Sequence, residues 1–179
     1  QDVINQGNDA GQLSTVSMAA KEVLDQDQDR LKVVADSGYY NSDEIKACED
    51  ANIEPYVPKR DTSNCKSRGL YSKDLFHYDP VQDYYSCPKG EVLTYRSQAP
   101  KYVKGKPTNH IQRSYASKAC KSCLFKLQCT TNKRGRVIKR WVHEHLIEQM
   151  EDRMRAHPEI LEKRKGIVEH PFWHHQVLE

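Results

Sequence analysis

From Gln12 the apolar residues Leu13, Val16, Ala20, Val23 and Leu24 recur at helical spacing, which predicts a helix beginning after Gly11. The polar run 25–30 closes it. Leu31-Lys32-Val33-Val34-Ala35 then carries four apolar residues in five and reads as a short buried strand, ended by a turn at Asp36-Ser37-Gly38. Ser42 as N-cap, with Asp43 and Glu44 in the first turn, predicts a second helix to about Ala51. Ile53-Glu54-Pro55-Tyr56-Val57-Pro58 reads as another short strand, and its prolines suggest an edge. Helix, strand, helix, strand over residues 1–59 is an α/β pattern with a parallel pair.

At Lys59 the pattern changes. Residues 60–141 alternate basic, aromatic and turn residues, with short strand candidates at 84–87, 92–95 and 137–141 and little apolar content. Helical spacing returns with Val142, Leu146, Met150 and Met154, and His157-Pro158 breaks it. Pro158 suits the first position of a last helix running to Glu169 or His170, which Gly166 weakens by about 1 kcal/mol relative to Ala. The expected organisation is a core segment 1–59, an insert 60–141, helices returning to the core over 142–172, and a tail 173–179.

Composition, at 37% hydrophobic and 30% charged, allows one domain or one domain with a large insert. No run approaches the roughly 18 apolar residues of a membrane span, and no signal-peptide pattern opens the chain. The expectation is a soluble intracellular protein. The distribution of charge says more. Residues 1–59 carry 5 Lys/Arg against 12 Asp/Glu, residues 60–141 carry 18 against 5, and residues 142–179 carry 5 against 8. So basic a middle segment attracts a polyanion, with nucleic acid the first candidate and an unpartnered solvated surface the alternative. Its candidate phosphate contacts are Lys118, Lys121, Lys126, Lys133, Arg134, Arg136, Lys139 and Arg140, with Tyr115, Phe125 and Trp141 interleaved as stacking platforms or as a small core.

Cysteine is concentrated in the same segment. Cys48 and Cys65 stand alone, whereas Cys87, Cys120, Cys123 and Cys129 crowd the basic region. Without a secretory signal, metal ligation is a better reading than a disulfide framework. Cys120 and Cys123 form a C-x₂-C pair, and four thiolates suit a closed Zn²⁺ site that would organise a segment poor in apolar residues. An iron–sulfur cluster uses the same ligands, four reduced thiols are the plain alternative, and His77 or His110 could stand in for Cys87.

One carboxylate at the exit of a strand, Asp36, and one on the last helix, Glu169, are a candidate pair for hard divalent cations. Taken singly, Asp36 is a turn cap and Glu169 a surface residue facing Lys165. Together with further stretches, they bring the chain to a family. Gly7-Asn8-Asp9-Ala10-Gly11-Gln12-Leu13, Val34-Ala35-Asp36-Ser37-Gly38-Tyr39-Tyr40 and Ile53-Glu54-Pro55-Tyr56-Val57-Pro58-Lys59 are followed by Ala119-Cys120-Lys121-Ser122-Cys123, Gln128-Cys129-Thr130 and Val168-Glu169-His170-Pro171-Phe172. In this order they resemble the DDE-type transposases of bacterial insertion sequences, in the subgroup with a cysteine-bearing insert in an RNase H-like catalytic domain.

The resemblance implies a partial RNase H-like mixed α/β sheet with helices, interrupted by the basic, Cys-rich insert. It makes Asp36 the second and Glu169 the third acid of the triad, holding two Mg²⁺ ions for hydrolysis at a transposon end and strand transfer by the freed 3′-hydroxyl. It implies double-stranded DNA as partner (transposon ends and target), a bacterial cytoplasmic setting at the nucleoid, and leaves a homodimer open. The first triad aspartate is expected upstream of Gln1, since Asp9 belongs to the Gly-Asn-Asp stretch and Asp2 has no strand context. After Phe172 the sequence departs from the family pattern. The expectation is an internal fragment, inactive alone and prone to aggregate or oligomerise. The alternatives are a zinc-stabilised DNA-binding module without catalysis and a nonfunctional remnant.

Overall fold

In the computed structural model, which describes residues 11–24, 30–59 and 63–164, β1 (Leu31–Val34) and β2 (Ile53–Tyr56) pair in parallel, with Leu31 opposite Ile53 and Val34 opposite Tyr56. The connection between them is α2 (Ser42–Asp50), the helical crossover that a parallel pair requires. Asn41, not Ser42, caps α2: its side chain accepts from the Asp43 amide at 3.0 Å. The chain divides into two compact units, residues 1–60 with 143–179 and residues 61–142.

In the first unit α1 (Leu13–Leu24) forms where expected, but its apolar stripe is not its buried face. Leu13 and Ser17 are buried, whereas Val16 is 61% and Val23 85% exposed. The reason is polar docking on α2. Glu44 accepts from the Ser14 amide and hydroxyl at 2.9 and 2.7 Å, and Lys21 donates to the Ala51 carbonyl at 2.8 Å. These bonds fix which side of α1 turns inward. The core contains Ile45, Cys48, Ile53, Tyr56 and Val57, joined by Ile147 and Met150 of α4 (Glu144–Ala156). Residues 158–164 are helical beyond His157. The rest of that predicted helix, with Gly166 and Glu169, lies outside the described residues, as does the 7–10 stretch. The returning helix is tied to the opening segment by charge. Glu49 is nearly buried between Arg30 and Arg153, with Arg153 at 2.5 Å.

The second unit is a five-stranded antiparallel sheet in the order β3-β4-β5-β6-β7: His77–Asp79, Tyr84–Ser86, Val92–Val103, Lys106–Ala116 and Val137–Trp141. The short strands expected at 84–87, 92–95 and 137–141 are present. β3, the extension of β5 to Val103, and β6 are not legible in the sequence pattern. The core is rich in tyrosine. Phe76, Tyr85, Leu93, Tyr115 and Ile138 are buried together, with Tyr85 edge-on to Tyr115 at 5.1 Å between centroids. Asp83, between β3 and β4, accepts from the hydroxyls of Tyr78 and Tyr115 at 2.7 and 2.6 Å and so satisfies the polar ends of these rings. Helices, a parallel pair and an antiparallel sheet make a mixed α/β chain consistent with a partial RNase H-like fold. Among the described residues no helix is long and apolar enough to cross a membrane.

Candidate functional site

Asp36 follows the carboxyl end of β1, the end at which open parallel sheets place their sites. The Ala35 amide still bonds the Tyr56 carbonyl at 3.1 Å, so the chain leaves the sheet only at Asp36. There the Asp36 carboxylate accepts from the Gly38 amide at 2.7 Å and caps a single 3₁₀ turn, Ser37–Tyr39. A Cβ at position 38 would lie 2.8 Å from Asp36 Oδ1, so a larger residue there would push the carboxylate aside. The second carboxylate oxygen is 3.4 Å from the Arg164 guanidinium, and the side chain is 51% exposed. Glu169, the expected partner, lies outside the described residues. Among the described residues no group of three or more His, Cys, Asp or Glu could hold a metal ion.

Cys87, Cys120, Cys123 and Cys129 line one cavity in the second unit, of about 340 Å³, with Phe76, Leu93, Phe125 and Arg136 among its other walls. Cys87 opens a tight turn. Its sulfur accepts from the amides of Lys89 and Glu91, both at 3.3 Å, and Gly90 supplies a φ of +82°. Cys120 lies in a 3₁₀ turn, Ala119–Lys121, and packs on Gly135, where a Cβ would come within 2.5 Å of the Cys120 Cβ. Cys129 ends the four-residue helix α3 (Lys126–Cys129). Burial pushes its thiol up, the Arg136 guanidinium opposes this, and Cys120, Cys87 and Cys123 add to the rise. Cys48 is buried in the first unit and Cys65 is partly exposed in the second; neither lines this cavity.

The basic residues separate by environment. Lys118, Lys121, Lys133, Arg134 and Lys139 are exposed. Arg140 is 7% exposed, 3.8 Å over the Tyr78 ring, and donates to the Tyr85 hydroxyl at 3.4 Å. Arg136 donates to the Cys129 carbonyl at 3.2 Å, and Lys126 to the Lys133 carbonyl at 2.8 Å. Tyr115 and Trp141 are buried core, whereas Phe125 is exposed with Lys89 4.3 Å above its ring. Arg164 is a site neighbour that sequence reasoning missed. Its place on the helix leading to Glu169 was the available signal.

A family model described as a transposase DDE domain matches residues 86–172. The matched stretch contains the four cavity cysteines, the basic residues from Lys118 to Arg140 and Glu169, but not Asp36. No curated protein and no solved structure matches the chain. The match over residues 86–172, just under half of the chain, supports a DDE-type transposase fragment.

Proposed function

We propose that this chain supplies Asp36 and Glu169 as two of the three acidic residues of a DNA transposase centre, acting on double-stranded DNA at transposon ends and target. The observation that carries this reading is the approach of Arg164 to Asp36 at 3.4 Å. The helical segment 158–164 reaches the β1 carboxylate, and Glu169 follows five residues later. Mg²⁺ bound between such carboxylates supplies the charge that activates a hydroxyl and stabilises the leaving oxygen of a phosphodiester. Asp36 alone, already engaged by Gly38 and Arg164, offers too few oxygens for a hard divalent cation. On this reading the chain, holding two of three acids, does not cleave DNA unaided. Gly38 fixes one oxygen of Asp36, and Arg164 balances its charge.

Joined to an upstream strand that bears the missing acid, the chain is expected to nick duplex DNA with Mg²⁺. Asp36→Asn and Glu169→Gln should each reduce cleavage by at least about a hundredfold. Undiminished cleavage in either variant would overturn the assignment.

A second reading rests on the cysteine cavity. In it Cys87, Cys120, Cys123 and Cys129 close on Zn²⁺, or on an iron–sulfur cluster, and stabilise residues 61–142 as a DNA-binding module without catalysis. The two amides on the Cys87 sulfur and the shared cavity support it. Lys118, Lys121, Lys133, Arg134 and Lys139 would then contact phosphates. DNA binding with no Mg²⁺-dependent cleavage in the extended chain would select this reading.

A further inference from the structure

Between Val92 and His143 the sequence has no aspartate or glutamate and thirteen Lys/Arg. The first half of this run is not the cysteine region but the β5–β6 hairpin. β4 pairs β5 only at 92–94, and β7 pairs β6 only at 112–116. Beyond these positions β5 and β6 pair only with each other, out to Val103 opposite Lys106. Because 95–99 of β5 lie opposite 112–115 of β6, which β7 pairs in turn, the two-stranded ribbon is 100–103 with 106–111, roughly 13–20 Å at about 3.3 Å per residue. A lone ribbon is marginally stable in water, and this one ends in exposed side chains, Tyr102 at 63% and Val103 at 49%. Its tip, Lys101-Tyr102-Val103-Lys104-Gly105-Lys106, is wholly exposed and carries three lysines.

The turn itself is informative. Lys104 and Gly105 have φ of +49° and +78°, the hairpin geometry in which Asn, Asp or Gly normally precedes Gly. Among the described residues the other non-glycines at positive φ are Asn52 and Asp83, types that tolerate it. Lys104 puts a charge where the backbone favours another residue.

We propose that the 100–111 ribbon is a DNA-binding arm whose tip enters the major groove of duplex DNA, with Lys101, Lys104 and Lys106 on flanking phosphates. The B-form major groove admits a two-stranded ribbon, whereas that of duplex RNA is too deep and narrow. This rests on the reading of the chain as DNA-acting and adds to it a surface distinct from Lys118–Arg140.

The test is fluorescence anisotropy of the full 179-residue chain on a labelled 30-base-pair DNA duplex across a salt series. The triple variant Lys101→Gln/Lys104→Asn/Lys106→Gln keeps the turn and removes its charge. It should bind at least about tenfold more weakly at 0.1 M salt, with a log–log salt slope shallower by about 2–3. Lys101→Arg/Lys106→Arg should bind as the parent does. An unchanged slope in a triple variant with parental circular dichroism overturns the ribbon and leaves the DNA-acting reading intact. An equal loss on duplex RNA overturns groove insertion. Failure of the parent chain to bind the duplex overturns both.

Discussion

Asp83 shows how one side chain can hold a tyrosine-rich core together. It stands at φ +53° between β3 and β4, where aspartate tolerates a left-handed backbone. The hydroxyls of Tyr115 and then Tyr78, followed by Arg113 and Arg140, hold its carboxyl below the ordinary range. Because the folded value is the depressed one, the stabilisation is complete above the unfolded carboxylate value near 3.9 and is lost as pH falls through the folded value. We therefore expect Asp83→Asn to lower the urea midpoint at pH 7, read by the near-ultraviolet tyrosine signal. The gap between variant and parent should narrow below about pH 4. A gap of constant size from pH 7 to pH 3 would remove Asp83 from this role. Among the residues of the candidate sites, Asp36 was legible as a cap because Asp-Ser-Gly encodes an Asx turn by itself. Arg140 was not legible from counting charges. Its burial follows from alternation, since Ile138 and Arg140 share the inner face of β7.

Elements depend on contacts far away in sequence, and the α2–α4 tie is the clearest case. Glu49 on α2 is almost wholly covered and accepts from Arg153 on α4, which follows only after the whole second unit, while Arg30 engages its other oxygen. A covered carboxylate that loses its charge leaves the two guanidinium groups with Glu54, at 3.8 and 3.9 Å, as their remaining shared carboxylate. Glu49→Gln is expected to cost about 2–3 kcal/mol in urea unfolding. A loss under about 0.5 kcal/mol would reduce the network to an ordinary surface pair. The same distance dependence explains what the pattern of the sequence could and could not show. Parallel β1–β2 pairing followed from the local order of strand, helix and strand. The inward face of α1 did not, because Ser14 and Lys21 choose it through Glu44 and the Ala51 carbonyl, thirty residues on. β6 escaped notice because Pro107, Asn109 and Gln112 interrupt any apolar alternation, and it is held by pairing with β5 and β7.

For the molecule as a whole, the two units differ in what stabilises them. Among the described residues, the first has mostly aliphatic buried residues from three helices and β2, whereas the second has a small buried cluster of Phe76, Tyr85, Leu93, Tyr115 and Ile138, with Trp141 buried besides, under a long polar hairpin. A segment with so small a core would gain most from a cross-link, and four cysteines line one cavity there, although in this arrangement they do not form a metal-holding group. On the zinc reading, purified chain contains close to one equivalent of zinc. Chelation should then abolish the tyrosine signal of residues 61–142 while the helical signal of the first unit persists. Gly135 offers a test that touches no ligand. It has φ +103°, and an added Cβ would meet the Cys120 Cβ at 2.5 Å, so Gly135→Ala must displace Cys120. We expect Gly135→Ala to lower zinc content as Cys120→Ser does, and Gly69→Ala, also at positive φ but in open space, to leave it unchanged. Parent protein with neither zinc nor iron near one equivalent would leave four free thiols. A Gly135→Ala chain with full zinc and parental fold would place Cys120 outside the ligand set.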